Sequence, residues 1–133
     1  MTNKKLLGVL LDTETSTAKS VRLNDSLESF YEALHCTTID IVNREIAGKR
    51  FDIVCDDEAL LKPHPRATAS LSGSRVCLFG SLFVVGEADA EGNLTSLTKE
   101  DVKHILSHCH HSFYINDQYY GGRSMPTLHR VSL

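Results

Sequence analysis

The stretch Val76–Val85, which reads Val-Cys-Leu-Phe-Gly-Ser-Leu-Phe-Val-Val, is the most apolar part of the chain and decides the fold class. A run of this length and composition is typical of a strand whose two faces are both covered. Gly80 inside the run predicts a bulge or a close backbone approach. We therefore expect a central strand at this position, with a sheet built around it.

Two pairs of strand-like segments precede this run. Lys5–Leu11 and Ala18–Leu23 flank a polar turn and predict an opening hairpin. Thr38–Ile46 and Arg50–Cys55 flank a turn that contains Gly48, which is the clearest hairpin signal in the chain. Because strands joined by short turns pair antiparallel, the sheet should be mostly antiparallel.

Two amphipathic helices are predicted. The first follows a carboxylate cap at Asp25, and its apolar side chains recur at i, i+3, i+4 and i+7: Leu27, Phe30, Tyr31 and Leu34. The second begins at Thr98 with capping-box spacing, and the same period gathers Val102, Ile105, Leu106 and Cys109. The predicted fold is α+β, a mostly antiparallel sheet with these two helices packed on it.

The length of the chain suits one domain. Its 133 residues are 41% hydrophobic and 23% charged, which is close to the globular average. We therefore predict a single domain over residues 1–133, with a loosely ordered tail from about residue 115. The formal net charge of -3 supplies no basic field for phosphates, so nucleic acid is not an expected partner.

Localisation is inferred from the N-terminus and the cysteines. The apolar run Leu6–Leu11 is too short to span a bilayer and lacks a signal-peptide cleavage site, so we expect no membrane association. The four cysteines are widely separated and form no Cys-x-x-Cys pair, which favours reduced, buried thiols. Both features predict a cytoplasmic protein.

The segment Glu91–Asp101, Glu-Gly-Asn-Leu-Thr-Ser-Leu-Thr-Lys-Glu-Asp, follows a Phe-Gly-Ser-Leu-Phe-Val-Val-Gly strand. In this order of parts the chain resembles the domain-of-unknown-function 3846 family, from about Leu6 to Ser107. Members of that family are associated with phages and mobile elements and have no established activity. The resemblance implies an accessory or counter-defence role and supplies no catalytic residues.

Residues 104–111, His-Ile-Leu-Ser-His-Cys-His-His, form the sharpest local motif. His104 and His108 stand one helical turn apart, a spacing at which two histidines can share a metal such as zinc. The helical period places His104 opposite the apolar stripe and His108 on its flank, so both should reach solvent. No glutamate stands between them to serve as a general base. The alternative is a pair of solvated histidines, favoured by the helix dipole.

An acidic run, Asp56-Asp57-Glu58, follows a predicted strand end. Carboxylates in such a place can hold a metal or perform acid–base chemistry. No second acidic cluster marks an opposing wall, which favours a solvated turn.

The loop from Lys62 to Arg75 is the strongest candidate for ligand binding. Its two prolines fix an extended, exposed segment. His64, Arg66 and Arg75 could grip an anionic ligand or a partner peptide, because arginine offers a bidentate fork. A stiff connector without a binding role is the other interpretation.

The tail carries Tyr114, Tyr119 and Tyr120 beside two glycines. Without a basic background this composition favours a protein contact, including a homodimer, over base stacking. The function itself is unknown. We predict a non-enzymatic accessory or binding module that contacts a protein or small ligand and needs no cofactor. The alternative is a small metal-dependent hydrolase that uses the histidine cluster.

Overall fold

The computed structural model describes residues 4–61, 67–70, 77–112, 114–115, 118–119 and 125–133. The strands in those residues are β1 (Lys5–Asp12), β2 (Thr17–Asn24), β3 (Ile39–Ile46), β4 (Lys49–Asp56), β5 (Ala67–Ser70), β6 (Cys77–Phe79), β7 (Leu82–Val85), β8 (Cys109–Ser112), β9 (Tyr114–Ile115), β10 (Gln118–Tyr119), β11 (Met125–Leu128) and β12 (Val131–Ser132). The helices are α1 (Leu27–Leu34) and α2 (Lys99–Ser107), with a 3-10 turn at Ala59–Leu61. No helix of the described residues has the length and apolarity needed to cross a membrane.

The main sheet has six strands in the order β12-β3-β4-β7-β1-β2, and every neighbouring pair is antiparallel. β7 lies at its centre between β4 and β1, and all four of its residues are buried. The two predicted hairpins are present as β1–β2 and β3–β4. The α+β prediction, with a mostly antiparallel sheet, is confirmed.

Both faces of this sheet are covered, so the core has two parts. α1 packs on one face, where Phe30 and Phe83 lie with their ring centroids 6.0 Å apart. The other face packs against α2, through Ile105, and against a second sheet of order β6-β5-β11-β8, through Leu128. Alternate residues of a strand point to opposite faces, which is why β1, β4 and β7 contribute to both clusters.

The apolar run at residues 76–85 is two strands, not the single strand that the sequence predicts. β6 pairs with β5 in the second sheet, whereas β7 pairs with β1 and β4 in the main sheet. The chain changes sheets at Gly80, whose φ of 79° lies in the region that glycine tolerates best. Thr68 holds this turn by donating its hydroxyl to the Gly80 carbonyl at 2.8 Å.

The predicted cap of α2 is present, whereas α1 is capped by a different residue from the one predicted. Ser26, not Asp25, caps α1, and its hydroxyl accepts the Ser29 N–H at 3.2 Å. The backbone N–H of Asp25 instead donates to Lys4. The predicted capping box of α2 is confirmed, because Thr98 and Asp101 each accept the other's backbone N–H.

The tail predicted from about residue 115 lies partly outside the described residues, and its described end carries β11 and β12. β11 pairs with β5 and β8, and β12 pairs with β3. Leu128 and Val131 are fully buried. The segment has too few apolar residues to predict strands from its sequence. Its strands form because distant strands pair with them.

Candidate functional site

An acidic cleft opens at the end of the β3–β4 hairpin that lies away from its turn. It encloses about 290 Å³ and is bordered by β3, β4, the 3-10 turn and β6. Among the described residues, four acidic residues, one arginine, one cysteine and several apolar residues line it: Asp40, Val42, Arg44, Cys55, Asp56, Asp57, Glu58, Ala59, Leu61, Leu78 and Phe79.

Strand pairing brings the carboxylates together from two strands. Asp40 stands opposite Cys55 in the β3–β4 register, so it faces the acidic run that ends β4. Glu58 donates its backbone N–H to Asp56 at 2.9 Å and accepts the Thr38 hydroxyl at 3.0 Å. These bonds hold the acidic turn against the hairpin. Asp40, Asp57 and Glu58 are exposed at the mouth of the cleft.

The sequence analysis finds no wall opposite the acidic run, and the structure supplies one in Asp40. The signal for it is present in the sequence as alternation, because Asp40, Val42 and Arg44 occupy every second position of one strand. Residues at that spacing share a face of the sheet. Only the register with β4 shows that Asp40 stands opposite Cys55, directly before the acidic run.

Arg44 lines the cleft, but it forms no ion pair with a carboxylate in the described part of the chain. Its Nη1 donates to the backbone carbonyl of Asn43 at 2.8 Å, and its Nε is buried with no hydrogen-bond partner among the described residues. The cleft therefore presents carboxylates that its own arginine does not neutralise by contact.

Cys55 is buried at the floor of the cleft. Burial, and then the negative charge of Asp40, raise the pKa of Cys55 to about 11. The thiol is therefore protonated at neutral pH, where a thiolate would be needed for nucleophilic attack. Its Sγ lies 3.5 Å from the Asp40 carbonyl and donates to it.

A second groove of about 300 Å³ lies on the opposite face of β3; we call it the apolar groove after the apolar side chains that share its lining with polar residues. It is bordered by the start of α1, by β3 and by the loop before Thr95: Asp25, Ser26, Leu27, Phe30, Ile39, Ile41, Gly92, Asn93 and Leu94. Leu27 is 56% exposed and Ile41 43% exposed, which is unusual for large apolar side chains that are neighbours on one surface.

His104 and His108 are adjacent, with ring centroids 5.1 Å apart. The Nε2 of His104 donates to the Ile46 carbonyl at 2.7 Å, and the Nδ1 of His108 donates to the His104 carbonyl at 2.8 Å. A carbonyl only accepts, so these two nitrogens carry the hydrogens. The other ring nitrogen of each histidine therefore carries no hydrogen in this arrangement, which is the form that a metal ligand requires.

The predicted apolar stripe of α2 packs on the core, since Val102, Leu106 and Cys109 contact the same cluster as Ile105, but the position of His104 differs from the prediction. Its buried residues are Asp101 and Ile105, so His104 lies beside the core, against the ring of Phe51, and not opposite it. Beside this stripe the Asp101 carboxylate is buried and pairs with Lys49 at the β3–β4 turn. This polar contact is invisible to an analysis of apolar periodicity.

The histidines that follow α2 do not extend the pair. His110 lies against His129, with ring centroids 5.0 Å apart, and His111 donates its Nε2 hydrogen to the Ser16 carbonyl at 2.8 Å. Within the described ranges, no group of three or more histidine, cysteine, aspartate or glutamate residues is arranged to hold a metal. Metal binding by His104 and His108 stays a prediction.

The hydrolase alternative also requires a carboxylate near these histidines. Lys49, which contacts α2, and Asp56 stand at opposite ends of β4. At about 3.3 Å per residue the strand separates them by roughly 23 Å. The acidic cleft and the histidine pair are therefore distinct places, and nothing in the described residues supports the hydrolase alternative.

The predicted ligand-binding residues His64, Arg66 and Arg75 lie outside the described residues, as do Tyr120 and the glycines after it. Their role stays a prediction. Leu61 and Leu78, which are described and flank the loop in the sequence, both line the acidic cleft.

Comparison with known proteins gives one match. Residues 5–110 match a family model described as domain of unknown function (DUF3846). The chain belongs to the DUF3846 family. It matches no curated protein and no solved structure.

The DUF3846 match contains every residue that lines the acidic cleft and the apolar groove. β11 and β12 lie beyond it. Membership confirms the resemblance inferred from the turn and cap at residues 91–101. The description of the family names no activity, so any function has to be argued from the chemistry of these surfaces.

Proposed function

We propose that this DUF3846 protein is a binding module that holds a cationic group, an ammonium or a guanidinium, in the acidic cleft. The observation that carries the proposal is a cavity of about 290 Å³ whose described lining contains four acidic residues and one arginine. Carboxylates that converge on one space form strong, charge-assisted hydrogen bonds to such a cation. Leu61, Leu78 and Phe79 suit the methylene stem that carries it.

A binding role fits the lining better than catalysis does. Cys55 is the only thiol in the described lining, and its high pKa keeps it protonated. No histidine is among the described lining residues, so a general base there would have to be one of the carboxylates. The proposal is therefore a non-enzymatic module whose partner is a protein or small molecule.

The proposed cellular setting rests on separate observations. An accessory role in a phage or mobile element rests on the family resemblance, and a cytoplasmic location rests on the pattern of cysteines. Neither bears on the chemistry of the cleft.

A titration of isotopically labelled protein with arginine amide, followed by amide NMR, tests the proposal. Shifts should concentrate at Asp40 and residues 56–59 and weaken in high salt. The double variant Asp57→Asn, Glu58→Gln should weaken binding about tenfold, since it removes two charges at the mouth. The matched control Glu32→Gln, Glu100→Gln removes two exposed charges on the helices and should bind normally. Equal weakening in both variants would overturn the proposal.

The same titration with inorganic phosphate tests the loop prediction. His64, Arg66 and Arg75 favour an anion, whereas the cleft favours a cation. Phosphate should leave the cleft amides unshifted. Binding of phosphate that is lost in Arg66→Ala or Arg75→Ala, together with no binding of arginine amide, would transfer the function to the loop.

A further inference from the structure

β3 has an open edge that runs between the acidic cleft and the apolar groove. β12 pairs with β3 only at Glu45 and Ile46, and no other described strand pairs with Ile39–Arg44 on that side. In an antiparallel pair, alternate residues direct their backbone groups toward the partner and the others direct them away. A two-residue turn closes β3 against β4, so Ile41 and Asn43 are among those that face outward.

Two side chains of β3 cover part of this edge. Asp40 Oδ1 accepts the backbone N–H of Ile41 at 2.9 Å, and Arg44 donates to the Asn43 carbonyl at 2.8 Å. Edge strands are commonly protected in this way against unselective pairing. Each cover is one hydrogen bond from a flexible side chain, so an incoming strand can replace it.

The two faces of β3 present different chemistry to such a strand. Asp40 and Arg44 lie on the side of the acidic cleft, and Ile39 and Ile41 on the side of the apolar groove. Side chains of an added strand alternate between the same two sides. One set would meet the carboxylates and the other would meet Leu27 and Ile41, which are 56% and 43% exposed.

From this juxtaposition we infer that the edge of β3 binds an extended peptide with alternating basic and apolar residues, which pairs with the sheet as an added strand. The inference rests on the proposed function, because the cleft supplies the preference for basic side chains. Charge complementarity selects this occupant: the described cleft lining holds four carboxylates against one arginine. Backbone hydrogen bonds supply affinity, and the two flanking surfaces supply specificity.

The probe is a short peptide, blocked at both ends, that alternates arginine and valine. It should bind at least about tenfold more tightly than arginine amide, because several backbone bonds are added to the charge contact. The amides of Ile41 and Asn43 should gain protection from hydrogen exchange. The same peptide, N-methylated at the amides that would face β3, keeps its charge and loses those bonds. It should fall back to the affinity of arginine amide.

Variants of β3 separate charge from pairing. Asp40→Asn keeps an oxygen that can accept from Ile41 and removes the charge, so peptide binding should weaken about threefold to tenfold. Arg44→Ala removes the side chain that covers the Asn43 carbonyl, and it removes a positive charge that repels the basic peptide. Binding should therefore tighten about threefold. Ile41→Thr preserves a β-branched residue and should weaken the peptide without affecting arginine amide. Glu32→Gln is the control and should change neither.

Three results would overturn the inference. Undiminished binding of the N-methylated peptide would exclude strand addition, while the proposed function would survive if arginine amide still required Asp57 and Glu58. Equal binding of a glutamate–valine peptide would remove the charge argument. A dimer, seen by light scattering and dissociated by Ile41→Thr, would assign the edge to a second copy. Failure of arginine amide to bind would instead overturn the proposed function.

Discussion

At the scale of single residues, Gly8 is fixed by the close approach of the neighbouring strand. A Cβ at this position would lie 2.5 Å from the Val84 carbonyl oxygen and 2.6 Å from the ring of Phe83. Phe83 is fully buried in the cluster beneath α1, so its ring has no space into which it can withdraw. The absence of a side chain at Gly8 lets the Phe83 ring pack directly against the backbone of β1.

Gly8→Ala should therefore destabilise the protein by about 2 kcal/mol through overpacking. The matched control is Lys5→Ala, at an exposed position of the same strand, which should change stability by less than about 0.5 kcal/mol. Urea unfolding of both variants measures the difference. An unchanged midpoint for Gly8→Ala would show that Phe83 can move away.

At the scale of elements, α2 is held by the capping box and by its link to the β3–β4 turn. Asp101 takes part in both, since it accepts from Thr98 and pairs with Lys49. Burial raises the pKa of Asp101, but the hydrogen bonds from Lys49 and Thr98 outweigh that effect, and the pKa lies below its usual value. The carboxylate thus stabilises the folded state in its charged form.

The sign of the pH dependence follows from this lowered pKa. The stability that Asp101 contributes is complete above the pKa of the unfolded chain, near 4, and is lost as pH falls through the lower folded pKa. Asp101→Asn should cost about 1 kcal/mol at pH 7, and the difference from wild type should shrink below about pH 4. Glu100→Gln, exposed on the same turn, is the control. Denaturation at several pH values decides, and a pH-independent difference would contradict the assignment.

At the scale of the whole molecule, the two C-terminal strands take part in both sheets. β11 lies between β5 and β8, and β12 pairs with β3 beside the open edge. The Ala47 N–H donates to Arg130 at 2.9 Å, which ties the β3–β4 turn to the C-terminal segment. The last residues therefore influence the same strand that borders the cleft.

Val131→Ala should destabilise the protein by about 1–3 kcal/mol, because Val131 is fully buried and the substitution leaves a cavity. Leu133→Ala, two residues on and 68% exposed, should change stability by less than about 0.5 kcal/mol. Hydrogen exchange should show lost protection at Ala47 in the first variant alone. Equal stability of the two variants would mean that β12 is dispensable.

Several parts of this fold and candidate site can be predicted from the sequence because they depend on residues close together in the chain. The box at Thr98 and Asp101 spans one helical turn, and the turn at Gly48 joins adjacent strands. Apolar periodicity likewise predicts α1, although it misplaces the cap by one residue, because Asp25 and Ser26 are both good caps. The acidic run at Asp56 is also visible as a motif.

The sequence by itself thus determined the α+β class, the two hairpins, the two helices and the family. Only the tertiary structure decided that Asp40 closes an acidic cleft, that the apolar run divides at Gly80, and that Val131 pairs with β3. The physical reason is that an amphipathic period or a cap depends on residues a few positions apart. The cleft, the division of the apolar run between two sheets and the pairing of the C-terminal strand depend on which distant segments pair, and in what register.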